Sequence, residues 1–403
     1  MKTIAFISFP VAGHVNPQHG LCEELAKRNV NLVYYTADRY QAKYQDIEGI
    51  TIRLYPKEFM DYYDELSKDI TLHEKMLALM YVFNTFTEKI LPFILEDLKE
   101  VKPDFIISDS LAVWGKAAAR YFNIPCALFF SSFMGDSIII KKTPSFALSL
   151  MKSAIFDFKY VLKFNQIKKR IEKQYGKITD SMSKVMSPQG KFTIVSTSRE
   201  FHPGGTLYPS NVHFVRPCIF ETNPVNTKKD TIFISVGTIS FSHSFWDICL
   251  KATRNLPYRI VISFGNNKNN SLDKELLRDN VVLYDNLSLD DFRKELERSE
   301  IFITHGGFNS ITDGIIAETK LLVCPITAEQ ISNGNVIEGY GCGKLYPEKT
   351  YQADVMEREL KELIANDEMR KHLSYYKKSF MTEKTYEEVV SELLIEYNLS
   401  CEK

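Results

Sequence analysis

The sequence predicts an α/β protein made of two Rossmann-like, parallel-sheet domains. Three observations carry this. Short apolar runs alternate with amphipathic helical patterns along the chain, the signature of parallel sheets joined by helices. The runs are continuously apolar rather than alternating, so both faces of each sheet are expected to be covered. Residues 217–230 (PCIFETNPVNTKKD) break the rhythm with two prolines and several charges, and read as a linker between two halves. A length of 403 residues agrees with two domains.

In the first half the apolar runs fall at residues 3–9, 31–36, 50–55, 105–108, 127–131 and 192–196. Between the first two, residues 20–28 place Leu21, Leu25 and Ala26 on one helical face, and a second helical pattern at 112–121 follows the fourth run. The other half opens at Thr231 with TIFISVGT and continues through YRIVISFG, VVLYDN, EIFITHGG and LLVCPI, each separated by a helical stretch. From Ala353 onward the chain is charged and helical by pattern. The expected division is an N-terminal domain over 1–216, the linker 217–230, a C-terminal domain over 231–380, and a helix over 381–403 placed to pack back on the first domain. Two open sheets of similar size joined by one linker imply a cleft, with ligands outside the carboxyl ends of the strands.

Composition removes several function classes. At 44% apolar and 25% charged the chain has ample material for large cores, which excludes intrinsic disorder. No window approaches ~18 uninterrupted apolar residues, so no membrane span is expected. Fifty Lys and Arg against 51 Asp and Glu create no global field for nucleic acid or membrane. The local exception is residues 141–191, with twelve basic against three acidic residues. It reads first as a solvated helical face, and alternatively as a basic rim for an acidic acceptor or an anionic membrane surface. Seven cysteines without a C-x-x-C pair point to a reducing compartment. The opening MKTIAFISFPVAG reads as a buried strand running into a loop at residues 13–17, not as a cleaved leader, so the protein is expected in the cytoplasm.

The strongest chemical signal is Thr304-His305-Gly306-Gly307-Phe308-Asn309-Ser310, between an apolar strand and a helix. Paired glycines let a ligand approach the backbone, and a helix N-terminus presents amides to an anion. Asn309 and Ser310 add short polar side chains there and His305 a further donor, which together suit a diphosphate. The competing reading is a tight turn in which Asn309 and Ser310 act only as caps. Gly237-Thr238 ends the first strand of the same half and emerges at the same sheet edge. Asp313, one helical turn past Asn309, is placed for ribose hydroxyls. Glu329 and Gln330 open the next helix, where a carboxylate beside an amide suits a hexose, or simply satisfies the helix N-terminus. In the first half His14 follows the first strand and Asp109 closes FIISD at the same edge. Such a pair makes a general base, with Asp109 orienting the imidazole, although Asp109 also suits a helix N-cap. Phe59, Phe133 and Met134, with Ile138, Ile139, Ile140 and Phe146, are candidates to line an apolar acceptor pocket, a role weighed against plain core packing.

AGHVNP near the start, PDFIISD–W–IPCALF in the middle and THGGFNS-x-x-D…P-x-x-x-E-Q-x-x-N later together resemble the UDP-sugar-dependent glycosyltransferases that include plant secondary-product and bacterial macrolide enzymes. The resemblance implies a GT-B fold and an inverting, metal-independent transfer from a nucleoside diphosphate sugar, UDP-glucose by default, to a hydroxyl of a hydrophobic small molecule. No other cofactor is implied. It also implies that His14 is the base, Asp109 its partner, His305 to Ser310 the diphosphate binders, Asp313 the ribose contact, and Glu329 with Gln330 the sugar contacts. Where the family usually has Trp-x-Pro-Gln, this chain reads Asn286-Leu287-Ser288-Leu289, so Leu287 stands in the region of the base platform. Asp313 replaces a usual glutamate, and Glu329 a usual aspartate. A nucleotide-sugar 2-epimerase and a non-catalytic binding protein on the same scaffold remain as alternatives. A dinucleotide-dependent oxidoreductase lacks its G-x-G-x-x-G.

Overall fold

A parallel sheet must return its chain over one face between strands, and both halves of this protein do so with helices. The computed structural model describes residues 1–67, 75–188, 190–217, 228–237, 243–265, 272–347 and 351–399. The chain divides into two units, Met1–Cys218 with Thr382–Lys403, and Ile219–Met381. Most of the expected linker, residues 218–227, lies outside the described residues.

The first unit holds β1 (Lys2–Ile7), β2 (Val30–Thr36), β3 (Ile50–Leu54), β4 (Phe105–Asp109), β5 (Cys126–Phe130), β6 (Thr193–Ser196) and β7 (Val212–Val215) in the spatial order β3-β2-β1-β4-β5-β6-β7. All its neighbours pair in parallel. Its helices are α1 (Ala12–Ala26), α2 (Lys57–Ser67), α3 (Met76–Val101), α4 (Val113–Phe122), α5 (Ser137–Lys142), α6 (Pro144–Phe156) and α7 (Phe158–Tyr175).

The second unit holds β8 (Thr231–Ser235), β9 (Arg259–Ser263), β10 (Val281–Tyr284), β11 (Ser299–Thr304), β12 (Lys320–Val323) and β13 (Gly343–Leu345), ordered β10-β9-β8-β11-β12-β13 and again parallel. Its helices are α8 (His243–Ala252), α9 (Leu289–Arg298), α10 (Phe308–Ile316), α11 (Ala328–Gly339), α12 (Ala353–Ala365) and α13 (Glu368–Thr382). A last helix, α14 (Tyr386–Glu396), belongs to the first unit.

Continuous apolar strands bury both faces, and the first unit shows how. Ala5 and Ile7 face one core with Ile90, Leu91 and Ile94 of α3 and Trp114 of α4. Ile4 and Phe6, alternating with them in sequence, face the other core with Leu21 and Leu25 of α1 and Val389, Val390 and Leu393 of α14. The last helix is thus part of the N-terminal core, anchored also by Tyr386, whose hydroxyl donates to the Pro17 carbonyl at 2.9 Å.

Three local features differ from the pattern read in the sequence. The loop expected at 13–17 is the start of α1: His14 and Val15 amides both donate to the Val11 carbonyl, at 3.0 and 2.9 Å. Pro17 lies inside the helix and forfeits the amide that would have bonded four residues back. Strands β7 and β13 are absent from the apolar runs because His213 interrupts the first, VHFV, and the second, GKL, has a single large apolar residue. Gly343 in β13 is required by space, since a Cβ there would sit 2.3 Å from the Leu321 carbonyl oxygen.

Leu393 is fully buried. Leu393→Ala should cost about 2–5 kcal/mol by leaving a cavity. Urea unfolding followed by circular dichroism would measure it, and a loss below that range would show that α14 only rests on the sheet.

Candidate functional site

In a doubly wound sheet, strand order reverses at one point, and the loops on either side diverge there to leave a crevice at the carboxyl ends. In the first unit that point lies between β1 and β4, and in the second between β8 and β11. The candidate residues sit at these two places.

In the first unit β1 leads into α1, whose first turn carries His14, and β4 ends on Asp109. His14 Nδ1 lies 2.9 Å from each Asp109 carboxylate oxygen. Asp109 is fully buried and His14 nearly so. A buried carboxylate needs donors, and Asp109 has two more: the Gln18 side-chain amide at 2.5 Å and the Leu111 backbone N–H at 2.9 Å. Gln18 is itself held by the Tyr34 hydroxyl, which donates to its Oε1 at 2.8 Å. Because an ionised carboxylate only accepts, the imidazole proton sits on Nδ1 and Nε2 becomes the basic nitrogen. Ser131 Oγ, 2.9 Å from the same Nδ1, accepts a second share of that proton. Phe9 packs edge-on to the imidazole with ring centroids 5.6 Å apart. As for the N-cap reading, α4 has Ala112 as its N-cap, with no side-chain cap bond.

Gln18 and Ser131 were not singled out in the sequence. Gln18 lies four residues after His14, a spacing that means contact only once the segment is helical, where a loop was expected. Ser131 follows β5 at the same edge as Asp109. Phe59 and Met134, expected beside an acceptor, are instead packed into the core. Phe59 meets Tyr55, Phe86 and Trp114, and Met134 is fully buried with Leu128, Val195, Tyr208 and Phe214. Phe133 is likewise buried, its ring 5.6 Å from Phe201 and 5.3 Å from His202. Phe59 lies on α2 and Phe133 and Met134 follow β5, and in each place core packing takes the apolar surface. Ile139 is buried and Ile138 and Ile140 are half-buried on α5, while the Phe146 side chain is outside the described residues.

In the second unit β8 runs into Gly237, and β11 into His305, Gly306, Gly307 and α10. Thr238 lies outside the described residues. The His305 ring lies against both outer glycines: a Cβ on Gly237 would fall 2.9 Å from its Cε1, and one on Gly307 would fall 2.5 Å from its Nε2. Gly306 has φ +87°, and its Cβ would meet Val323 Cγ1 at 2.6 Å. The glycines therefore make room for the imidazole and for β12 as well as for any ligand. His305 is buried with Nδ1 unbonded among the described residues, and burial pushes its pKa down to about 4. An unmet buried polar atom costs about 1–3 kcal/mol and is tolerated where a ligand supplies the partner. Gly307 is the N-cap of α10 and no side chain caps the helix, so the cap reading of Asn309 and Ser310 fails; both are half-buried in its first turn. Asp313 faces Arg293 of α9 at 4.0 Å, and burial lifts its carboxyl to about 7 against that cation.

The expected pair at α11 separates. Gln330 Oε1 accepts from the Ile326 and Thr327 amides at 2.9 and 3.1 Å, closing a capping box with Thr327. Glu329 is exposed beside it. Asn333, the last residue of the E-Q-x-x-N pattern, donates from Nδ2 to the Gly306 carbonyl at 3.0 Å and pins the glycine turn. Leu287 is half-buried, and the next residue, Ser288, caps α9 by accepting from the Asp291 amide. Among the described residues no three or more His, Cys, Asp or Glu are grouped to hold a metal ion.

Residues 231–388 match the glycosyltransferase family 28 C-terminal domain. The uncharacterized UDP-glucosyltransferase YojK of Bacillus subtilis is 26% identical over 383 residues, covering 91% of this chain and 90% of its own length. The demethyllactenocin mycarosyltransferase of Streptomyces fradiae is 23% identical, over 93% of this chain and 82% of its own. Among solved structures, the glycotransferase of kitacinnamycin superposes with a TM-score of 0.80 at 19% identity, covering 98% of this chain and 99% of that one. The fold is the GT-B fold of these glycosyltransferases, and the second unit carries the matched glycosyltransferase domain.

The folded pKa of His305 lies below its ordinary 6.5, so the neutral ring contributes its full stability above about pH 6.5 and loses it as pH falls toward 4. The His305 Cε1 resonance should titrate near pH 4 by NMR, and move upward when uridine diphosphate is added, because a nearby anion favours the imidazolium. An unchanged midpoint with bound nucleotide would separate this ring from the diphosphate.

Proposed function

We propose that the protein transfers a hexosyl group, glucose in the first instance, from a UDP-sugar to a hydroxyl of a hydrophobic natural product, with inversion and without a metal. The observation that carries this reading is His14 Nδ1 held 2.9 Å from both oxygens of the buried Asp109 carboxylate. That arrangement leaves Nε2 to take the proton of an acceptor hydroxyl as its oxygen attacks the anomeric carbon. The glycosidic C–O bond to the diphosphate breaks, and the diphosphate leaves with the electron pair. Asp109 stabilises the imidazolium that results.

In the second unit the leaving diphosphate is met by the backbone of Gly237, Gly306 and Gly307, the uncapped start of α10 at Asn309 and Ser310, and the unbonded nitrogen of His305. Amides aimed at developing negative charge lower the barrier without a cation. Asp313 takes the ribose hydroxyls and the exposed Glu329 a sugar hydroxyl, with Gln330 holding the backbone between them. Leu287 offers an aliphatic contact to the base in place of a stacking ring. The donor assignment is supported by the name of the Bacillus subtilis relative, and an antibiotic-like acceptor by the name of the Streptomyces fradiae one.

Incubation with a panel of nucleotide sugars and apolar aglycones, read by mass, should give hexosyl adducts and free nucleoside diphosphate. His14→Ala should abolish transfer while calorimetry still shows uridine diphosphate binding. Asp109→Asn should lower kcat by about 10²–10⁴. Full turnover by the His14 variant would sink the base assignment, and absence of adducts across the panel would sink the activity.

A further inference from the structure

Neither candidate site uses the positively charged stretch at 141–191, which spans α5, α6 and α7. Large apolar side chains face solvent there. On α6, Leu148, Met151 and Ile155 are 52%, 63% and 71% exposed and follow the spacing of one helical face. Phe156 is 79% exposed, and across the single joining residue Asp157 lie Phe158 and Leu162 of α7, at 55% and 52%. These two sit opposite the buried face of α7, formed by Tyr160, Phe164, Ile167 and Ile171. Isolated apolar residues are ordinary on any surface, but a run of six on consecutive helices marks an interaction site.

The charge around this corner is uncompensated. Each acidic residue of the stretch is taken: Asp157 by Lys75 at 2.7 Å, Glu172 by Lys168 at 2.5 Å, and Asp180 by Lys116 and Arg120 at 2.9 and 2.7 Å. Among the described residues no ion pair holds Lys141, Lys142, Lys159, Lys163, Lys169 or Lys173, and all six are exposed. Lys169 and Lys173 extend the outward face begun by Phe158 and Leu162. Lys159 and Lys163 lie over the rings of Tyr160 and Tyr81, contacts that leave their charge unneutralised. Apolar side chains rimmed by lysines without an ion pair among the described residues, on a chain of net charge −1, fit one kind of partner.

We propose that the α6–α7 corner docks on an anionic lipid surface, with Met151, Ile155, Phe156 and Phe158 entering the headgroup region and the lysines meeting lipid phosphates. A second copy placed across a two-fold axis would oppose lysine to lysine, so self-association does not fit this face. The attachment is peripheral, since among the described residues no helix is long and apolar enough to cross a membrane.

The test is flotation of the full chain with vesicles of phosphatidylcholine alone, or of phosphatidylcholine mixed with phosphatidylglycerol. Binding should appear with the mixed vesicles and fall away at about 1 M salt, where charge is screened within about 3 Å. The double variants Ile155→Asp/Phe156→Asp and Lys159→Glu/Lys163→Glu should each reduce partitioning about tenfold or more, with unchanged circular dichroism and melting temperature. Equal binding to both vesicle types, no binding to either, or variants that float like the parent would overturn the proposal. So would a doubling of mass by light scattering that the same variants abolish.

Discussion

Each sheet winds outward from its first strand in one direction and then, with its fourth, in the other. That reversal is the constraint on which the site residues depend. Strands beside a reversal send their following segments to opposite faces, so the carboxyl ends of β1 and β4, and of β8 and β11, are not roofed by one continuous crossover. The chain then places polar residues at these openings, although the strands beneath are almost wholly apolar. His14 and Asp109 meet at one opening, and the glycines and His305 at the other.

The two histidines stand in contrasting environments. His14 has a buried carboxylate against Nδ1, itself steadied by Gln18 and the Leu111 amide. His305 is buried against glycines with Nδ1 unbonded, so its protonated form is suppressed. The proposed roles, a base at the first and a dipole facing an anion at the second, fit these contrasting settings. Asp313 shows a third case, a carboxyl drawn toward neutrality by burial with Arg293 opposing.

Much of this was legible in the sequence because strands and glycine turns leave strong local marks. The apolar runs located eleven of the strands, and the carboxyl-end positions of His14, Asp109 and His305 followed from parallel topology. What escaped depended on neighbours distant in the chain. The start of α1 was hidden by Gly13 and Pro17, which resemble loop residues, and with it the reach of Gln18 to Asp109. β7 and β13 are broken by His213 and Lys344, so neither forms a continuous apolar run. Phe59 and Met134 look alike as core or as pocket wall, and only the side chains around them decide. Gln330 matched a sugar-binding pattern, yet its carbonyl oxygen serves the helix that it opens.

In the proposed transfer an acceptor oxygen, deprotonated by His14, displaces the diphosphate directly from the anomeric carbon. Proton NMR of the product formed from an α-configured UDP-sugar tests it in one step, because a single displacement reverses the configuration. Direct displacement gives a β-glycoside, read from the large coupling of its anomeric proton; an α-glycoside would contradict it.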